Sequence, residues 1–136
     1  MPFSLEGGAM GKVIGVGGVF FACADPGATK DWYVRVLGLE ATDFGGFMFS
    51  HETSAETCGK GAMTIFAPFD AKADYFKPSD LPFMINLMVD DLDAVLTRCK
   101  DEGVDEVQPA ESHEYGRFAW IMDPDERKIE LWQPIG

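Results

Sequence analysis

Residues 114–134 read EYGRFAWIMDPDERKIELWQP, and this stretch indicates how the rest of the chain folds. Two runs of alternating apolar and polar residues flank an Asp-Pro-Asp turn, a pattern typical of a β-hairpin. In the second run Ile129 and Leu131 share one face of the strand, and Glu130 and Trp132 share the other. Carboxylates are rarely buried without a partner, a metal or a catalytic task. Glu130 is therefore the first candidate for a functional residue.

The composition is that of a globular protein, and it narrows the range of partners. A chain of 136 residues is long enough for one domain with a hydrophobic core. The formal net charge of -12 argues against nucleic acid and against an anionic membrane surface, because both bind basic patches. No apolar run approaches the ~20 residues of a transmembrane helix. Residues 1–12 do not have the pattern of a signal peptide, so we expect a flexible leader or a cloning remnant.

The cysteines indicate a reducing compartment. Cys23, Cys58 and Cys99 are odd in number and far apart, and no pair has C-x-x-C spacing. This pattern favours neither a disulfide framework nor a zinc knuckle. We therefore expect three reduced thiols in a cytoplasmic protein.

The predicted elements repeat in the order β-α-β-β-β, linker, β-α-β-β-β. Asp25 to Gly38 and Asp90 to Gly103 both read as a capped helix that ends at glycine, with the same internal spacing. We therefore predict one domain built from two modules, residues 13–67 and 83–136. Residues 68–82 contain several prolines and charges, which predicts a linker between the modules.

The first module is predicted to hold four strands and one polar loop. Its strands are residues 13–24, 40–44, 47–52 and 62–67, and its loop is residues 53–60. In the second module we predict strands at residues 83–89 and 104–110, followed by the terminal hairpin.

Seven short motifs follow one another along the chain: Asp25-Pro26, Trp32-Tyr33, Val36-Leu37-Gly38-Leu39, Val89-Asp90-Asp91-Leu92-Asp93, Gly103-Val104, Asp123-Pro124-Asp125 and Ile129-Glu130-Leu131-Trp132. In this order and spacing they resemble the vicinal oxygen chelate superfamily. That superfamily includes glyoxalase I, bleomycin-resistance proteins, fosfomycin-modifying enzymes and extradiol dioxygenases. The resemblance implies an α+β fold of two tandem βαβββ modules that curl into a half-barrel around a cleft, and it implies a homodimer.

The resemblance also implies four metal-ligand positions, one on the first and one on the last strand of each module. These positions fall on Gly18, Thr64, Met84 and Glu130, so three of the four lack a His, Glu or Gln. Zinc, iron and nickel sites need about three ligands from His, Cys or carboxylate. We therefore predict that the protein uses no metal and no other cofactor.

Two histidines leave an alternative open. His51 is predicted on a middle strand and His113 in a turn, and neither falls at a ligand position of the family. A metal site in an altered geometry would need one of them, and we rank this alternative last.

Strand parity predicts which side chains line the cleft and which form the core. Cleft-facing positions are Phe20, Ala22, Thr64, Phe66, Met84, Asn86, Met88, Glu130 and Trp132. Core positions are Val19, Phe21, Ile65, Ile85, Leu87, Val89, Ile129 and Leu131. This composition, apolar and aromatic with a few polar groups, is typical of a pocket for a small molecule.

Tyr115 and Arg117 form a second set of candidate ligand-binding residues. A tyrosine hydroxyl and an arginine fork at a cleft edge would suit a carboxylate or a phosphate. The alternative is an exposed arginine on a hairpin, because the parity of this strand is ambiguous around Gly116.

These observations favour a metal-free protein that binds a small, partly aromatic ligand in its cleft. The alternative is an enzyme of the lyase or isomerase type, in which Glu130 serves as general base or as the remaining metal ligand. A further hypothesis is a protein that serves mainly as an interaction partner. Its cleft would then be closed by its own side chains, with Glu130 paired to Arg117 or held by water.

Overall fold

The computed structural model describes residues 11–135, so the predicted leader lies outside the described residues except for its last two positions. Within this part of the chain, no helix is long and apolar enough to cross a membrane. The elements are α1 (Pro26–Leu37), α2 (His51–Cys58), a short 3-10 turn (Gly59–Gly61), β1 (Ile85–Met88), α3 (Leu92–Asp101), β2 (Gln108–His113), β3 (Gly116–Met122) and β4 (Lys128–Pro134).

The second half of the chain forms the predicted βαβββ module. Its sheet has the strand order β1-β4-β3-β2. Strand β1 runs parallel to β4, whereas β2, β3 and β4 are antiparallel neighbours. The terminal hairpin pairs Gly116 with Pro134 and Met122 with Lys128. The predicted α+β class and the predicted hairpin are therefore confirmed.

Local capping explains why α1 and α3 form where they were predicted. The Asp25 carboxylate accepts a hydrogen bond from Ala28 N at 3.1 Å, and Asp91 does the same for Ala94 N at 3.1 Å. Each interaction satisfies one of the backbone N–H groups that a helix leaves unpaired at its start. Helix α1 ends at Gly38, whose φ of 74° lies in the left-handed region that favours glycine.

One face of the sheet packs against α1 and α3 and forms the hydrophobic core. Ile129 and Leu131 are fully buried there. Ile85, Leu87 and Val89 pack against the same cluster, as their parity predicted. The other buried members of the cluster are Tyr33, Val36, Leu92, Val95, Cys99, Ala119 and Ile121.

The strands predicted for the first half do not form. Residues 13–24, 40–44, 47–50 and 62–67 hold no assigned strand among the described residues. A strand needs a neighbour for its backbone hydrogen bonds, and no described segment of this single chain pairs with them. The core positions predicted in these segments are wrong for the same reason, since Val19, Phe21 and Ile65 are exposed.

A helix replaces the loop predicted at residues 53–60. Helix α2 begins at His51, which was predicted to lie on a strand. The Ser50 hydroxyl accepts a hydrogen bond from Thr53 N at 3.3 Å and so caps this helix. The local capping interaction outweighs the weak strand pattern of the preceding residues.

A buried ion pair joins the β3–β4 turn to the first half of the chain. Arg127 Nη1 lies 2.7 Å from Asp123 Oδ2, and both side chains are almost fully buried. The Tyr33 hydroxyl of α1 donates to the same carboxylate oxygen at 2.7 Å. Arg127 Nη2 donates to the carbonyl oxygen of Ala22. This cluster fixes α1 and the segment before it against the hairpin.

Candidate functional site

The face of the sheet opposite the helical core, called here the cleft face, carries Glu130. Its neighbours in register are Asn86 on β1 and Trp120 on β3. Glu130 is only 8% exposed. Because alternate residues of a strand point to opposite faces, the core positions Ile129 and Leu131 force Glu130 onto this side.

Three neutral donors hold the Glu130 carboxylate. Asn86 Nδ2 donates to Oε1 at 2.7 Å, and Trp120 Nε1 donates to Oε2 at 2.9 Å. The hydroxyl of Tyr75 also donates to Oε2. Hydrogen bonds to a charged group are stronger than those between neutral groups, so this set satisfies a carboxylate that burial would otherwise penalise.

Tyr75 reaches Glu130 from the connection between the two halves, residues 68–82. Its ring meets Trp120 edge-on, with centroids 6.4 Å apart, and it stacks on Phe69 at 5.8 Å. Burial, and then the hydrogen bond to Glu130, raise the pKa of the Tyr75 phenol. The phenol therefore stays protonated and acts as a donor at neutral pH.

Lys128 is a second buried charge on the cleft face, two positions before Glu130. Its side chain is 1% exposed. The ammonium donates to the carbonyl oxygen of Tyr75 at 2.6 Å and to Gln108 Oε1 at 2.8 Å. It also lies 5.1 Å from the Tyr75 ring centroid and 5.8 Å from that of Trp120. Burial lowers the Lys128 pKa, while the charge of Glu130 opposes that shift.

Near-parallel aromatic rings extend along the cleft face from this charged cluster. Phe118 lies 6.1 Å from Trp132 and 6.4 Å from Trp120 between ring centroids. His113 stacks on Phe118 at 4.8 Å. Trp132 Nε1 donates to the carbonyl oxygen of Tyr115 at 2.9 Å, which fixes the indole. These four rings, Phe118, Trp120, Trp132 and His113, are called the aromatic row.

The structure brings only part of the predicted site together. Glu130 contacts Asn86, and Trp132 lies on the same face. Tyr115 contributes its backbone carbonyl, whereas its side chain is exposed in the turn after β2. Met84 immediately precedes β1 and is half-buried.

Arg117 lies on the helical face, away from Glu130. Its guanidinium pairs with Asp93 of α3, with Nη2 2.8 Å from Oδ1. The hypothesis that Glu130 pairs with Arg117 is therefore wrong, because the residues have opposite parity on neighbouring strands. Exposure of both partners makes this an ordinary surface ion pair.

The predicted cleft residues from the first half are not assembled with Glu130. Thr64, Phe20 and Phe66 lie on exposed segments, with Phe20 96% and Phe66 89% exposed. At Gly18, an added Cβ would lie 3.1 Å from the Phe20 ring, so this neighbour occupies the space left by the missing side chain. These segments have no strand partner among the described residues, so no sheet holds them beside Glu130.

Sequence reasoning missed three residues of this cluster, namely Tyr75, Trp120 and Lys128. The parity that selected Glu130 also places Lys128 on the cleft face. The hairpin register would have placed Trp120 opposite Glu130. No local pattern assigns Tyr75 to this site, because it comes from an irregular connection.

The donor set does not fit the metal that the family resemblance implies. Of the four implied positions, Glu130 alone supplies a carboxylate or imidazole. Across residues 11–135 no group of three or more His, Cys, Asp or Glu side chains is arranged to hold a metal ion. Neutral donors surround Glu130, whereas a metal site needs about three ligating side chains.

A surface depression of about 500 Å³ lies away from this cluster. It is lined by α3 and by the loop after it, and it shares no residue with the Glu130 surroundings.

Comparison with known proteins identifies the fold family. The family model described as "Glyoxalase/Bleomycin resistance protein/Dioxygenase superfamily" matches residues 15–131. No curated protein sequence matches the chain significantly.

Solved structures of similar fold come from several bacteria. A protein of unknown function from Agrobacterium tumefaciens str. C58 is 21% identical, with a TM-score of 0.51, over 88% of this chain and 98% of its own. TnmS3, an antibiotic binding protein from Streptomyces sp. CB03234, is 24% identical, with a TM-score of 0.47, over 82% and 88%. A superfamily member from Sphaerobacter thermophilus DSM 20745 is 18% identical, with a TM-score of 0.45, over 82% and 90%.

Proposed function

This chain belongs to the Glyoxalase/Bleomycin resistance protein/Dioxygenase superfamily, and we propose that it binds a small, partly aromatic ligand on its cleft face without using a metal. The observation that carries the proposal is a buried carboxylate, Glu130, held by neutral donors beside an aromatic row. Flat rings provide apolar contact area, and a few fixed polar groups orient a ligand.

Electrostatics favour a ligand that carries a hydrogen-bond donor. The Glu130 carboxylate can only accept hydrogen bonds, and the Lys128 ammonium can only donate them. A ligand with both a donor and an acceptor oxygen would match this pair. The net charge of -12 disfavours polyanionic ligands at long range.

We also propose that the protein is a homodimer in the cytoplasm, and that a second copy completes the cleft. The support is the apolar, exposed character of residues 13–22 and 62–67, which read as strands yet have no partner in one described chain. Exposed apolar residues that lie next to one another in sequence are typical of interaction surfaces. Light scattering should give a dimer mass for the wild type, and Phe20→Asp should shift it towards the monomer. A monomeric wild type would contradict this proposal.

The binding proposal is tested by thermal shift against a library of aromatic ligands, followed by calorimetry on the hits. We expect at least one hit to bind with one ligand per chain, and to bind Glu130→Gln about tenfold or more weakly, since a hydrogen bond to a charged group is worth about 1.5–3 kcal/mol. The matched control is Glu106→Gln, which changes an exposed carboxylate outside the site. Equal affinity in Glu130→Gln and Glu106→Gln would remove Glu130 from the site.

Metal independence needs its own experiment. We expect the purified protein to give no stoichiometric heat on titration with nickel, zinc, manganese or ferrous iron. Stoichiometric binding that disappears in Glu130→Gln would contradict the proposal and would return Glu130 to a ligand role.

The second candidate function is an enzyme of the lyase or isomerase type that uses Glu130 as general base. The observation that favours it is the hydrogen bond from the Tyr75 hydroxyl to Glu130. A substrate hydroxyl in the same position would lie within reach for proton transfer to Glu130. Turnover of a bound ligand, lost in Glu130→Gln while binding persists, would establish this alternative. A pH-rate profile that is the same in Glu130→Gln would exclude it.

A further inference from the structure

We infer that Tyr75 occupies the place of the ligand on Glu130, and that the ligand is a hydroxyaromatic compound whose binding displaces the strap, residues 69–77. This inference rests on the proposed function, because it names the ligand class of the same site.

Tyr75 makes the described hydrogen bonds that attach the strap to the sheet. Hydrogen bonds at Asp70 and Asp74 stay inside the strap and form its own turns. Among the described residues, the hydrogen bonds and ring contacts from the strap to the sheet all involve Tyr75, through its hydroxyl, its ring and its carbonyl oxygen. The Asp74 carboxylate adds a charge interaction with Lys128. Ser79, just beyond the strap, is buried and bonded to the carbonyl oxygen of Glu126 at 2.7 Å. The strap can therefore leave the sheet while its C-terminal end stays anchored.

Tyr75 makes the contacts that an aromatic ligand would make. Its hydroxyl donates to Glu130, and its ring packs edge-on against Trp120. The side chain is 37% exposed, so it covers the site without being sealed into the core. Residue 75 thus acts as a ligand supplied by the chain itself.

The groups that Tyr75 would release define the chemistry of its replacement. Glu130 keeps Asn86 and Trp120 as donors but loses its third donor. Lys128 keeps Gln108 as an acceptor but loses the carbonyl oxygen of Tyr75. A compound that replaces both contacts needs an aromatic hydroxyl at one end and an acceptor oxygen at the other. The compound must compete with Tyr75 for this place. Its apparent affinity for the protein is therefore its intrinsic affinity multiplied by the fraction of molecules in which the strap is open.

The test uses 4-hydroxyacetophenone, which carries both groups on one ring, and 4-methylacetophenone, which lacks the hydroxyl. Calorimetry compares the wild type with Tyr75→Ala, Tyr75→Phe and the control Phe44→Ala, which removes an exposed aromatic ring outside the site. We expect Tyr75→Ala to bind 4-hydroxyacetophenone about tenfold more tightly than the wild type, and Tyr75→Phe to show a smaller gain. The methyl compound should bind each protein more weakly, and Phe44→Ala should match the wild type. Tyr75→Phe retains the ring and keeps the test valid if Tyr75→Ala does not fold.

Limited proteolysis reports on the strap directly. Trypsin can cut after Lys72 but not after Lys77, because Pro78 follows it. Saturating 4-hydroxyacetophenone should speed cleavage of wild-type protein at Lys72 several-fold and leave cleavage at Lys60, outside the strap, unchanged.

The outcomes separate this inference from the proposed function. Weaker binding by Tyr75→Ala, or protection of Lys72 by the compound, would mean that Tyr75 helps to hold the ligand, and would overturn the inference. Binding of other aromatic compounds but not of 4-hydroxyacetophenone would overturn the hydroxyaromatic class and leave the proposed function standing. Failure of every aromatic compound to bind would remove both.

Discussion

Replacing Arg127 with methionine should destabilise the protein more than any exposed arginine does. Its guanidinium lies 2.7 Å from Asp123, donates to the carbonyl oxygen of Ala22 and covers the Phe21 ring at 4.3 Å. The Arg127 and Asp123 side chains are 3% and 0% exposed. Methionine retains much of the apolar volume and removes the charge and its hydrogen bonds.

The size of the loss in free energy of unfolding depends on the Asp123 charge that Arg127→Met leaves without its cation. Removing one partner of a buried ion pair costs about 3–5 kcal/mol, because the remaining charge is uncompensated. Asp123 keeps the Tyr33 hydroxyl at 2.7 Å and the backbone N–H of Asp125 at 3.0 Å, which offsets part of this cost. Within residues 11–135, Asp125 Oδ2 is buried without a hydrogen-bond partner, and it loses its cation at 3.7 Å, which adds to the cost. We therefore expect about 3 kcal/mol less free energy of unfolding, at the lower end of the range.

Urea unfolding followed by tryptophan fluorescence and circular dichroism measures this loss. The matched control is Arg117→Met, which breaks an exposed pair of similar length, 2.8 Å, with Asp93 and should change stability little. Adding Asp123→Asn to Arg127→Met should recover part of the loss, because the orphaned carboxylate is neutralised. Equal losses in Arg127→Met and Arg117→Met would refute the reasoning.

Three further predictions concern pH, thiol reactivity and the hairpin. Burial, then the hydrogen bond to Asp123, raise the Tyr33 pKa above its ordinary value of 10.0. The protonated Tyr33 phenol therefore stabilises the folded state fully below pH 10. This contribution is lost as the pH rises beyond 10, because the phenol of the unfolded chain then ionises more readily. Urea midpoints should fall less steeply above pH 10 in Tyr33→Phe than in the wild type. Burial raises the Cys99 pKa to about 11. Ellman's reagent at pH 8 should therefore modify Cys99 far more slowly than the partly exposed Cys23. Equal rates for the two thiols would contradict the burial of Cys99. Gly116→Ala would place a Cβ 2.2 Å from a carbonyl oxygen of β4, at a residue whose φ is 129°. It should destabilise the protein more than Gly103→Ala, where the added Cβ meets open space and the substitution costs about 1 kcal/mol. Urea unfolding of both variants measures the difference.

Local signals predicted much of the second half of the fold. Asp91 before an apolar helical stripe was enough to place α3, and the Asp-Pro-Asp turn was enough to place the hairpin. Strand parity separated Glu130 from Ile129 and Leu131. Each of these signals depends on residues close in sequence, and for this reason a single sequence reveals them.

The failures arose where distant segments had to meet. Residues 13–24 have the composition of a strand, but strand formation depends on a partner that composition does not supply. Lys128 follows a turn, where a lysine is ordinarily exposed, yet the rings of Tyr75 and Trp120 bury it.

The sequence by itself determined the α+β class, the two capped helices and the side of β4 on which Glu130 lies, because periodicity and capping act over a few residues. The tertiary structure decided what surrounds Glu130. Tyr75 arrives from an irregular connection, Trp120 from the neighbouring strand and Asn86 from the parallel strand. Such contacts between residues far apart in sequence depend on packing and strand register, which local patterns do not encode.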